Sequence, residues 1–182
     1  MQCQVIGCGN PDRGDDAAGI LVARRLRELG VPAVEHSGEA SELMDIWTSC
    51  DRVIIVDVAV SGREPGAIRT WEVHSAVVPN DSLHYSTHCF GVHEAIELAR
   101  VLGRLPQSVV IYAIEGRQFT GGAGLSLSVA LAVEAVAQQI ARDLRNGDLR
   151  DYLKHKHSEP FTKQVSRHNP RQFFRTDHTA TR

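Results

Sequence analysis

The segment Arg52-Val53-Ile54-Ile55-Val56-Asp57 constrains this chain more than any other. A continuous run of β-branched residues carries no polar face. It therefore forms a strand only where both faces of a sheet are covered, as when helices pack above and below a parallel sheet. The flanking segments fit that arrangement. Gln4 to Gly7 reads as a short buried strand running into a glycine-rich turn. Ala17 to Leu29 places Ala18, Ile20, Leu21, Val22, Ala23 and Leu26 at helical spacing, with Gly30 as a stop signal. Ala33–His36 reads as a short strand and Glu39–Ser49 as a helix. Ala67–His74 reads as a strand, placed at a sheet edge. Gly91–Leu102 is a helix, Ser108–Ile114 a strand, and Ser126–Arg145 a long helix closed by Asn146-Gly147. The alternation predicts an α/β domain, a three-layer α/β/α sandwich on a mainly parallel sheet.

Composition narrows the function classes. Lys and Arg total 20 against 22 Asp and Glu, so no global basic excess points to nucleic acid or anionic lipid. Aromatic residues are 5%, too few for a base-stacking platform. No apolar run reaches the roughly 18 residues needed to span a bilayer. No basic n-region precedes the first strand, so no signal peptide is expected. The cysteines Cys3, Cys8, Cys50 and Cys89 form no C-x-x-C pair, and reduced thiols in a cytoplasm are the expectation.

Charge divides the chain in two. From Arg150 to Arg182 there are eight basic and three acidic side chains, a net +5, which leaves −7 of the total −2 for the remainder. This stretch has few aliphatic residues with which to anchor itself. The expected organisation is a domain over residues 1–147 and a basic extension over 148–182, poorly ordered or docked on a partner.

Chemistry gathers at three places. The first strand empties into Gly7-Cys-Gly-Asn-Pro-Asp-Arg-Gly-Asp15-Asp16. In parallel sheets ligands sit beyond the carboxyl ends of strands, so this loop is well placed. It is not a nucleotide loop: Asp12 stands where a dinucleotide fingerprint needs glycine, and no G-K-[ST] is present. Asp15 reads as the cap of the following helix. Asp16 is less well explained that way, since one side chain suffices for a cap. Asp57, at the end of the apolar strand, is costly to desolvate unless paired or bound to a cation; structural and functional roles both stay open.

The third cluster is Ser82-Leu-His84-Tyr-Ser-Thr-His88-Cys89-Phe-Gly-Val-His93, ahead of a helix. A histidine beside two carboxylates from other strands would make a small N/O metal site, suited to nickel or zinc rather than calcium. There is no H-E-x-x-H and no G-x-S-x-G. Cys89 is expected to be an inert buried thiol rather than the partner of a cysteine–histidine nucleophilic pair. Glu115 follows the 108–114 strand and is a further residue placed to face the site.

Together these segments resemble the hydrogenase maturation endopeptidases, which process the large subunit of nickel-iron hydrogenases. Val5-Ile-Gly-Cys-Gly-Asn-Pro-Asp-Arg-Gly-Asp-Asp16 resembles the family's opening motif, Val53-Ile-Ile-Val-Asp57 its second, and Ser86-Thr-His88-Cys-Phe-Gly its third. Ile114-Glu-Gly116 and Leu125-Ser-Leu-Ser128 are also similar, and the likeness covers about residues 3–147. It implies a three-layer sandwich around a twisted, mainly parallel five-stranded sheet, of the phosphorylase/hydrolase-like kind. It also implies a cytoplasmic, nickel-dependent endopeptidase of aspartic or metallo type. Asp16, Asp57 and His88 would be the catalytic and metal-contacting residues. The nickel would be supplied by the precursor of the large subunit, with no tightly bound cofactor of the enzyme's own. The implied partner is that precursor, whose C-terminal extension is removed. His84 and His93 match no ligand position, and nothing carries over to the tail. Two rivals remain at this stage: a non-catalytic precursor-binding chaperone or metal-binding module, and a small-molecule hydrolase on the same fold.

Overall fold

A computed structural model describes residues 2–74 and 89–146. The basic tail, Gly147, His84 and His88 lie outside the described residues. In chain order the elements are β1 (Cys3–Cys8), a 3-10 turn (Gly14–Ala17), α1 (Ala18–Glu28), β2 (Val34–His36), α2 (Ala40–Trp47), β3 (Arg52–Ala59), β4 (Ile68–Glu72), α3 (Cys89–Val101), β5 (Ser108–Glu115) and α4 (Leu127–Arg145).

The five strands form one sheet in the order β2-β1-β3-β5-β4. Every pairing is parallel except β4 on β5, which is antiparallel and places β4 at an edge. The expected three layers are present. Ala18, Val22 and Leu26 of α1 and Val129, Val133, Val136 and Ile140 of α4 pack with Ile54, Val56 and Val58 on one face of the sheet. Leu43, Met44 and Trp47 of α2 and Val92, Ala95, Ile96 and Ala99 of α3 pack with Ile6, Val53 and Ile55 on the other. Strand β3 therefore sends alternate side chains into two separate cores, which is why its sequence has no polar face. The strand also runs two residues beyond the apolar stretch, to Ala59.

Helix α1 lies at backbone contact with the sheet. A β-carbon added to Gly19 would stand 2.2 Å from the Cys8 carbonyl oxygen and 2.3 Å from that of Val56. A second close approach reinforces it, since a β-carbon on Gly7 would meet the Gly19 carbonyl oxygen at 2.0 Å. Glycine at both positions lets the first turn of α1 settle over the ends of β1 and β3.

Strand order determines where a ligand can enter. From β1 the chain moves to β2 on one side, then crosses back to β3 on the other. The carboxyl ends of β1 and β3 thus flank the point where the strand order reverses, where open α/β sheets form a crevice.

Candidate active site

Asp16 and Asp57 both lie at this end of the sheet, Asp16 in the turn after β1 and Asp57 near the end of β3. Beyond Cys8 the chain turns through Gly9, and the backbone of Asp16 lies directly on it. The Asn10 amide donates to the Asp16 carbonyl at 3.2 Å. A β-carbon on Gly9 would meet that same carbonyl oxygen at 1.9 Å, and the φ of Gly9, +143°, lies in a region L side chains rarely adopt. The Asp16 amide donates to Arg13 O at 3.1 Å. The Arg13 guanidinium stands 4.0 Å from the Asp16 carboxylate.

Asp57 is placed by register. Gly7 pairs with Val56, so Asp57 comes level with Cys8, and on its other side it pairs with Ala113. Alternation turns its side chain to the face of Val53 and Ile55, the face of α2 and α3. Its carboxylate accepts the Val58 amide at 2.8 Å. Asp16 and Asp57 are each only 1% exposed. Cys8 shares this neighbourhood: burial pushes its thiol well above the ordinary range, and the charge of Asp57 pushes it further the same way.

Helix α3 begins at Cys89, the residue after His88, and Gly91 in its first turn abuts Gly38, just past the carboxyl end of β2. The helix that follows His88 therefore starts at the same end of the sheet as Asp16 and Asp57, on the face to which Asp57 is turned. His93, on the second turn of α3, is partly buried.

Two expectations are corrected. Asp15 does not cap its own helix. The 3-10 turn and α1 start at Arg13 and Ala17 without a side-chain cap. Asp15, fully buried, instead accepts the amides of Arg117 and Gln118 at 2.8 Å each, the amide of Ser126 at 2.6 Å and the Ser126 hydroxyl at 3.0 Å. Burial raises this carboxyl. The bonds from Ser126, Gln118 and Arg117 outweigh that effect and hold it below its usual range. Glu115 is likewise engaged away from the crevice. Its carboxylate, 2% exposed, accepts the amides of Ser61 and Arg63 and the Ser61 hydroxyl, with Arg69 at 3.9 Å. It fastens the β3–β4 loop to the end of β5.

One residue at this edge went unremarked in the sequence. His36 ends β2, and its carbonyl accepts the Gly9 amide at 3.1 Å. Its Nδ1 accepts the Gly38 amide at 2.9 Å, and its Nε2 faces the Glu42 carboxylate at 3.2 Å. The signal was available, since a histidine at the carboxyl end of a strand beside the first loop is as well placed as Asp57. Among the described residues no group of three or more His, Cys, Asp or Glu side chains is gathered as a metal cluster. No helix among them is long and apolar enough to cross a membrane.

Comparison with known proteins matches this geometry to a family. The chain is 30% identical over 154 residues to a Methanocaldococcus jannaschii protein named provisionally as a hydrogenase maturation protease, a match covering 78% of this chain and 95% of that protein. Among solved structures it superposes on the hydrogenase maturating endopeptidase HybD from Escherichia coli with a TM-score of 0.68 at 22% identity, covering 81% of this chain and 94% of the other. The [NiFe] hydrogenase maturation protease HybD from Thermococcus kodakarensis gives a TM-score of 0.65 at 24% identity, with 79% and 99% covered. These two likenesses establish the shared fold. The family model described as hydrogenase maturation protease matches residues 27–143, well over half of the sequence, and with the archaeal relative it shows that this chain belongs to the hydrogenase maturation protease family.

Proposed function

We propose that this chain removes the C-terminal extension from the precursor of a nickel-iron hydrogenase large subunit, and that Asp16, Asp57 and His88 contact nickel already held by that precursor. Family membership supports a protease over a chaperone or a small-molecule hydrolase. What supports the site assignment is that Asp16, which follows the carboxyl end of β1, and Asp57, which stands near that of β3, are each 1% exposed and lie at one end of the sheet. Buried carboxylates are costly unless they are hydrogen-bonded, paired or bound to a cation, and a site that receives a cation is one way to meet that cost. Carboxylates with one imidazole form a donor set suited to nickel.

On this reading the metal is part of the substrate. A nickel-free precursor presents nothing for the carboxylates to grip, so cleavage waits for metal insertion. The three side chains orient the precursor at its nickel and hold the extension against the crevice. Once in place, the substrate's nickel can polarise the scissile carbonyl or activate water. The partner of the chain is that precursor, and the reducing cytoplasm is the setting in which buried free thiols such as Cys8 persist.

The test is mass spectrometry of a precursor incubated with the full-length protein, with and without nickel. A single C-terminal truncation is expected only in the nickel-loaded sample. Asp16→Ala, Asp57→Ala and His88→Ala should each abolish it. Equal cleavage of nickel-free precursor, or an active Asp57→Ala enzyme, would overturn the assignment.

A further inference from the structure

Asp15 has a role that capping does not account for. Its carboxylate gathers four donors from residues 102–111 positions away in the chain, all on the segment joining β5 to α4. The backbone repeats the connection. The Asp15 amide donates to Gln118 O at 2.7 Å, the Gly14 amide to Ala123 O at 3.2 Å, and the Gly122 amide to Asp12 O at 2.8 Å. The Arg13 Nε donates to Phe119 O at 3.2 Å. Residues 12–15 and 117–126 are thus joined along their length. The carboxylate takes the donors that backbone oxygens leave over. Ser126 shows how strongly this arrangement is favoured: it occupies the N-cap position of α4 but gives its hydroxyl to Asp15 instead of capping its own helix.

We propose that Asp15 is a positioning residue for the cleavage reaction: it binds the β5–α4 segment to the turn that carries Asp16 and so sets where the Asp16 carboxylate stands against the substrate. This rests on the assignment of Asp16 given above. The Asp16 amide donates to Arg13 O and its carbonyl accepts the Asn10 amide, so the lie of that turn sets where its backbone stands. The turn is fixed in the crevice by the neighbouring residue's grip on a second loop. A carboxylate suits the task because it accepts on both oxygens and donates from neither. Asparagine keeps one accepting oxygen but aims an NH2 group at an amide that is itself a donor. The turn must then shift to relieve the clash. Asp15 makes the β5–α4 segment and the Asp16 turn a single unit.

The experiment is steady-state cleavage of nickel-loaded precursor by the full-length protein and its variants, below the melting temperature of each. Asp15→Asn is expected to lower kcat about 10–100-fold, the scale of a displacement of about 1 Å at a reacting group. KM should stay within about twofold, since the interaction lost is one that acts in the reacting complex. Leu26→Ala, at the far end of α1, is the control for lost stability, and should melt earlier yet keep its kcat. A merely structural Asp15 would behave like that control, with kcat intact and stability reduced, and this result would overturn the proposal. Should Asp15→Asn fail to fold, Ser126→Ala removes one donor and leaves the charge. A kcat lowered by about threefold or more at constant KM supports the proposal, and an unchanged kcat refutes it. Asp16→Ala is assayed in parallel. If it is active, the site assignment itself has failed; if it is dead while Asp15→Asn retains full kcat, the positioning role alone has failed.

Discussion

Replacing Gly19 by alanine adds a single methyl group where α1 lies at backbone contact with the sheet. That carbon would begin 2.2 Å from the Cys8 carbonyl oxygen and 2.3 Å from the Val56 carbonyl oxygen. Relaxed contacts between heavy atoms are about 3.5 Å, so the first turn of α1 must rise by about 1.3 Å. Neither obstacle is a side chain that can swing away; both belong to paired strands. Overpacking of this kind costs about 1–3 kcal/mol. Alanine recovers about 1 kcal/mol through its better helix propensity. The expected net destabilisation is about 0–2 kcal/mol, a fall in melting temperature of up to about 8 °C for a domain of this size. Function should suffer more than stability. Asp16 lies three residues before Gly19, and Asp57 follows the Val56 carbonyl being pushed. A displacement of about 1 Å between the two carboxylates should reduce cleavage of nickel-loaded precursor about 10²-fold. The measurement is cleavage rate and thermal melting on the same preparation. A Gly19→Ala protein with wild-type melting and wild-type cleavage would refute the reasoning that α1 has no room to spare.

Acidification should weaken the fold in a defined window. Asp15, Glu35, Glu39 and Glu134 are all held below their ordinary range, so the unfolded chain binds more protons than the native one as pH falls. Their contribution is complete above about pH 4–5 and is lost progressively below it, and melting curves should show this. Asp15→Asn should be less stable than wild type at neutral pH and should converge with it near about pH 2; parallel curves would contradict the role given to Asp15. Alkylation of the native protein at mildly alkaline pH should label exposed Cys3 first and leave Cys8 untouched until denaturant is added, since Cys8 is buried and raised by burial and by Asp57. Equal labelling rates at Cys3 and Cys8, read by peptide mass spectrometry, would show that the crevice floor is open to solvent.

What was legible in the sequence followed from local pattern. Strand β3 announced itself because burial on both faces requires an unbroken apolar run, and α1 because its apolar residues recur at helical spacing. Even the edge position of β4 could be read, although its antiparallel direction depends on pairing with β5. Asp16 and Asp57 drew attention as acids beside apolar segments, and the roles expected of them came from the family resemblance. The role of Asp15 was not legible. The residue looks like a cap because caps are local, whereas its partners lie more than a hundred residues further on. Glu115 misled for a similar reason: position along β5 places it near the crevice, but the side chain is taken up by the loop at Ser61 and Arg63. The strand ending at His36 was legible, but nothing local to a three-residue strand marks the bonds its histidine makes to Gly38 and Glu42.

The pairing of β1 with β3 also governs when activity can first appear. The two strands pair Cys3 with Arg52 and Gly7 with Val56, each contact closing a loop of 49 residues. Helices α1 and α2 lie wholly inside that loop. Local elements form quickly, while non-local pairings must first overcome the entropy of closing the chain. A refolding chain should thus acquire helical signal well before Asp16 and Asp57 are brought to the same end of the sheet. Cleavage activity should recover with the slow, sheet-forming phase, and a chain stalled before that phase would be helical yet inert toward its substrate.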